Sequence, residues 1–125
     1  MSSRKRMDGA AAVRYLHERH PRVVEPPGDE VTLGDLHLEV FWLMGHAYDS
    51  MEEREGRELR QYFKSMDLLL RRGDRDVLAA VFESFLQHLV FDPGIEWARR
   101  FMPQTLLRAS NAVEVELKKQ RRRTP

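Results

Sequence analysis

His17-Glu18-Arg19-His20 is the stretch of this chain closest in residue type to a metal-binding helix. Zinc-protease geometry sets two histidines four residues apart on one helix face, with a glutamate between them as general base. Here the two histidines are three apart and end at Pro21, so they read as an exposed polar helix end. His37 and Glu39 are two apart, on different helix faces, and cannot grip one ion together. His46 and His88 each fall near an apolar face, where a hydrogen-bonded or half-exposed imidazole is the ordinary outcome. The second concentration of acid–base groups is Glu52, Glu53, Glu55 and Glu58, interleaved with Arg54, Arg57 and Arg60. Catalytic carboxylates are held apart in a cleft by rigid elements. These are crowded and neutralised by adjacent arginines, so they read as a solvated face or an acidic docking surface rather than as general acids.

The other routes to chemistry close in the same way. The seven glycines are scattered and form no phosphate-cradling loop. Ser2, Ser3, Ser50, Ser65, Ser84 and Ser110 lie in no nucleophile-elbow context. With no cysteine there are no disulfides and no thiolate metal sites, which fits a cytoplasmic protein. The expectation is therefore no catalytic residues, no metal, no cofactor and no small-molecule substrate: not an enzyme.

The elements that would position these residues are helices. From Leu59 to Leu89 the chain reads as one helix, a hinge at Gly73-Asp74 and a second helix. Leu59, Tyr62, Phe63, Met66, Leu69 and Leu70 recur at spacings of three and four, as do Val77, Leu78, Val81, Phe82, Phe85, Leu86 and Leu89. This is an antiparallel helical hairpin. Gly73 suits a left-handed C-terminal position, and Asp74 the next N-cap. Upstream, a helix from Asp8 to Arg19 carries Val13 and Leu16, and Pro21 ends it. A loop holds Pro26-Pro27-Gly28. Thr32, with Asp35 three residues on, opens a helix whose apolar positions, Leu36 to Tyr48, cover most of its circumference. It reads as the central, most buried helix, with Trp42 in the core. Asp49 to Glu58 makes a turn. Asp92-Pro93-Gly94 starts a short helix from Ile95 to Phe101 bearing Trp97, and after Pro103 a last helix runs from Gln104 to about Leu117. No strand-like alternation occurs. The fold expected is all-α, a single-domain bundle of about five or six helices built on antiparallel hairpins, spanning residues 8–117 between flexible basic tails at 1–7 and 118–125.

Of the 125 residues, 21 are Lys or Arg and 20 are Asp or Glu, a net charge of +1. Eight of the basic residues lie in the tails (Arg4, Lys5, Arg6, Lys118, Lys119, Arg121, Arg122, Arg123), leaving 13 against 20 acids, or −7, in the body. An acidic body disfavours nucleic acid and favours a basic partner, because opposite fields speed encounter. No apolar run approaches the ~18 residues of a membrane span, and the stretch after Arg4-Lys5-Arg6 is too short and too weakly apolar for a secretory signal.

The order of features resembles an uncharacterised family of small bacterial all-helical proteins. The resemblance rests on His20-Pro21, on Gly34-Asp35-Leu36, on Leu68-Leu69-Leu70-Arg71-Arg72-Gly73-Asp74 and on Glu83-Ser84-Phe85-Leu86-Gln87-His88-Leu89. It covers Val13 to Leu107 and brings no catalytic residues with it. Such proteins resemble members of bacterial conflict systems, in which small acidic helical proteins serve as immunity factors against toxins. The resemblance thus implies an immunity protein that neutralises a basic toxin domain by occlusion. Charge alone nominates Asp49, Glu52, Glu53, Glu55 and Glu58 as the steering surface, with Tyr48, Met51 or Trp97 as apolar anchors. The alternatives are a nucleic-acid-associated regulator using the basic tails, and a scaffold that homodimerises through an apolar helix face.

Overall fold

The computed structural model describes residues 5–23 and 32–123. The Pro26-Pro27-Gly28 loop and the outermost parts of both expected tails lie outside that range. Among the described residues all regular structure is helical, and the chain is a single all-α bundle of six helices. The helices are α1 (Gly9–Arg19), α2 (Leu33–Glu52), α3 (Gly56–Arg72), α4 (75–89), α5 (95–101) and α6 (Gln104–Arg123).

The caps follow from the sequence. Asp8 Oδ1 accepts from Ala11 N at 2.8 Å at the start of α1, and Asp74 Oδ1 from Val77 N at 3.0 Å at the start of α4. The Asp35 carboxylate accepts from Thr32 N at 2.8 Å and from Thr32 Oγ1 at 3.2 Å, fixing the entry to α2.

The α3–α4 hairpin packs against α2 around Phe63 and Phe85, whose rings meet edge to face with centroids 6.1 Å apart. Leu36, Val40, Leu43 and Ala47 of α2 are fully buried, as are Ala12, Val13 and Leu16 of α1. His37 Nδ1 meets Ser84 Oγ at 2.9 Å, and Phe41 stacks edge-on against His88. These pairs rise together along both helices, so α2 and α4 run in the same direction with α3 antiparallel beside them. Within α4 the residues Phe82–Leu86 form a π turn, closed by Gln87 N–H donating to Phe82 O. Inside this turn Phe85 meets Phe63, and Ser84 meets His37.

Several expectations need correction. Gly73 is extended (φ −69°, ψ 152°), not left-handed. Glycine is needed there for space: a Cβ would lie 2.4 Å from Val77 Cγ1 and 2.5 Å from Leu69 O. The extended backbone also pairs with the N-terminal segment, Met7 N donating to Arg72 O and Asp74 N to Met7 O, both at 2.8 Å. Met7 is therefore tied to the hinge rather than part of a free tail. At the other end α6 continues to Arg123, through the basic residues expected to leave the helix after Leu117. Finally, α2 is not buried all round. Leu38 is 46% exposed, Phe41 47%, and Trp42 is half-buried rather than in the core.

Candidate protein-binding surface

Helix α2 ends in a tight C-terminal turn. Arg54 N donates to Met51 O and Glu55 N to Ser50 O, the hydrogen-bond pair of a Schellman motif. The left-handed position of such a motif usually holds glycine; here it holds Arg54, with φ 59°. This conformation carries the guanidinium over the Trp97 ring, 4.7 Å from its centroid. Trp97 in turn meets Phe101 edge-on at 4.8 Å, and Arg60 lies over Phe101 at 5.5 Å. Gly56 makes this ladder possible, because a Cβ there would come within 2.7 Å of the Phe101 ring.

The ladder keeps two arginines of the turn on rings and, among the described residues, out of ion pairs. Two of the three arginines that neutralise the acidic run in sequence are drawn onto aromatic faces. Glu52, Glu53, Glu55 and Glu58 are exposed and, among the described residues, form no ion pair. The Glu55 carboxyl is pushed up by a hydrogen bond with Glu53, by the charge of Glu53 and further by Glu58. Carboxylates crowded in this way form a continuous acidic ridge. Asp49 stands one turn earlier on α2, also exposed.

The three expected anchors fare differently. Met51 is 2% exposed and packs in the core, so it cannot anchor a partner; its spacing from Ala47 and Leu43 already puts it on the inner stripe of α2. Trp97 is half-buried and capped by Arg54. Tyr48 is half-buried, its hydroxyl donating to His88 O. Burial, and then the charge of Asp92, pushes that hydroxyl's pKa up.

Tyr48 also borders a groove of about 510 Å³ that runs past Val23, Phe41, Trp42, Gly45, His46 and Asp49. Together with Leu38, the apolar α2 residues among these form an outward stripe. The sequence contains the signal for it: Leu38, Phe41, Trp42 and Gly45 keep helical spacing on the side opposite Leu36, Val40 and Leu43. With apolar residues on both sides, the helix read simply as buried.

His20, Ser65 and Glu39 are buried polar groups. His20 is 7% exposed, not the exposed helix end expected, and its Nε2 lies 2.7 Å from Ser65 Oγ. Burial, then the charge of Arg19, lowers its pKa to about 4. A serine beside a neutral histidine has the composition of a nucleophile and its base. Ser65, however, is fully buried inside α3, with no room for a substrate carbonyl. Glu39 is 5% exposed with Oε2 unpartnered, and burial followed by the charge of Asp35 raises its pKa to about 7. No group of three or more His, Asp or Glu side chains among the described residues could hold a metal ion, and no described helix is long and apolar enough to cross a membrane. Comparison of the chain with protein-family models, with curated proteins and with solved structures gives no match.

Proposed function

We propose that this protein is a non-catalytic protein-binding module, and that its specific role is that of an immunity protein which neutralises a basic toxin domain by direct occlusion. One observation carries the reading: Arg54 and Arg60 are stacked on Trp97 and Phe101, and among the described residues Glu52, Glu53, Glu55 and Glu58 are left exposed and without an ion-pair partner at the α2–α3 turn. A fixed acidic surface steers a cationic partner into encounter and discriminates against neutral ones. The unused groove beside Tyr48 adds apolar surface to the same end of α2.

The test is a variant with Glu52, Glu53, Glu55 and Glu58 all replaced by Gln, assayed against the product of the gene adjacent to its own, the expected toxin. Association is expected to slow by roughly tenfold or more at low ionic strength, with a much shallower salt dependence, while dissociation changes little. An unchanged on-rate removes the electrostatic role. Failure of the native protein to protect cells expressing that toxin removes the immunity reading.

A further inference from the structure

The outer stripe of α2 has a feature that the fold itself does not require. Gly45 sits mid-way along a 20-residue helix, where glycine is unfavourable relative to alanine. Its φ is not positive, and an added Cβ would meet no atom within 4 Å. Neither backbone conformation nor internal packing calls for glycine. What glycine supplies is depth: it leaves open space in a groove lined by Val23, Phe41, Trp42 and Tyr48 together with the polar His46 and Asp49.

We propose that this groove docks an amphipathic helix of the partner protein. A large apolar side chain seats over Gly45, and lysine or arginine residues about one turn away face Asp49 and Glu52. This inference rests on the protein-binding reading above and names the segment that is bound. Charge complementarity selects the occupant. Asp49 and Glu52 are exposed and, among the described residues, without ion pairs, so they add a cationic preference to an apolar floor. A second copy of this chain fits worse. A two-fold axis that places Trp42 of one copy over Gly45 of the other also places Asp35 opposite Glu52 and Leu38 opposite Asp49. Acid then meets acid, and carboxylate meets apolar surface, at both ends of an isologous contact.

The probes are two synthetic amphipathic helices of equal length, one of Leu and Lys, the other of Leu and Glu. They are titrated into the full chain carrying Trp97→Phe, which leaves Trp42 as the reporting indole. The Leu/Lys peptide is expected to shift Trp42 emission to the blue and to bind roughly tenfold or more tightly than the Leu/Glu peptide. Gly45→Gln fills the groove without adding charge and is expected to weaken binding by roughly tenfold with no loss of melting temperature. Asp49→Asn combined with Glu52→Gln is expected to flatten the salt dependence. Equal binding of the two peptides, or binding indifferent to Gly45→Gln, overturns the proposal. So does a concentration-dependent dimer that Gly45→Gln dissolves, which assigns the groove to a second copy. The two readings separate in the toxin assay. Full protection by Gly45→Gln discards the groove and leaves the acidic ridge standing, whereas full protection by a variant with only Glu53, Glu55 and Glu58 replaced by Gln, which keeps the Glu52 that the groove uses, does the reverse.

Discussion

Asp67 is the buried acid on which the placement of α6 depends. Its Oδ1 accepts from Leu106 N at 2.8 Å and its Oδ2 from Arg71 Nε at 2.9 Å. Pro103 leaves α6 without a side-chain cap of its own, so a carboxylate from α3 supplies the cap. Asp67→Ala is expected to destabilise the fold by about 2–3 kcal/mol, because a helix-terminal N–H is left buried and unpaired; Asp67→Asn retains an acceptor and loses less. Chemical denaturation of both variants checks this. Two other buried groups oppose each other with pH. His20 takes a proton near 6.5 when unfolded but near 4 when folded. Between those values only the unfolded chain binds the proton, so this residue makes stability fall as pH is lowered from 6.5 to 4. Glu39 ionises near 4.5 unfolded and near 7 folded. In its window only the folded chain holds the proton, so stability falls as pH rises from 4.5 to 7. The two slopes largely cancel in the native protein. His20→Gln is expected to unmask a loss of about 1–2 kcal/mol between pH 4.5 and 7, and Glu39→Met a gain of similar size between pH 4 and 6.5. Denaturation midpoints measured across pH 4–8 check both signs. His20 was readable as a helix terminus, but its burial was not: Ser65, its partner, lies 45 positions away in sequence.

At the scale of the element, three positions separate backbone demand from packing demand. Gly73→Ala is expected to cost about 2–4 kcal/mol, since a Cβ would collide with Val77 and with the Leu69 carbonyl and the hinge is also paired to Met7. Gly45→Ala is expected to stabilise by about 0.5–1 kcal/mol, because its Cβ enters open space and the helix gains propensity. Arg54→Gly relieves a left-handed arginine worth about 1 kcal/mol but uncovers Trp97. Thermal melts should show little net change, while Trp97 emission shifts to the red. The sequence identified all six helices, because caps and apolar spacing are local signals. It did not disclose the π turn in α4, whose Phe85 and Ser84 meet Phe63 of α3 and His37 of α2.

At the scale of the whole molecule, charge is the property most directly tied to the proposed role. The acidic ridge lies where α2 turns into α3, while the basic residues of Lys118 to Arg123 continue α6 as helix, with Arg121 stacked over Phe91 at 4.0 Å from the ring centroid. Deleting residues 118–125 is expected to leave toxin binding intact and to remove any weak association with nucleic acid. A mobility shift on DNA or RNA that survives the deletion contradicts this. Sedimentation of the native chain is expected to give a monomer, because seating Trp42 of one copy over Gly45 of another also sets Asp35 against Glu52.

The amino-acid order alone determined the helical class, the positions of the caps and hinge, and the acidic run after Tyr48, since each depends on residues within a turn or two of one another. The tertiary structure alone decided which side of α2 faces inward, that Trp42 borders a groove, and that Arg54 and Arg60 lie over aromatic rings rather than against the carboxylates. Those outcomes depend on which distant helix occupies each face, and periodicity carries no information about that choice when both faces of a helix are apolar.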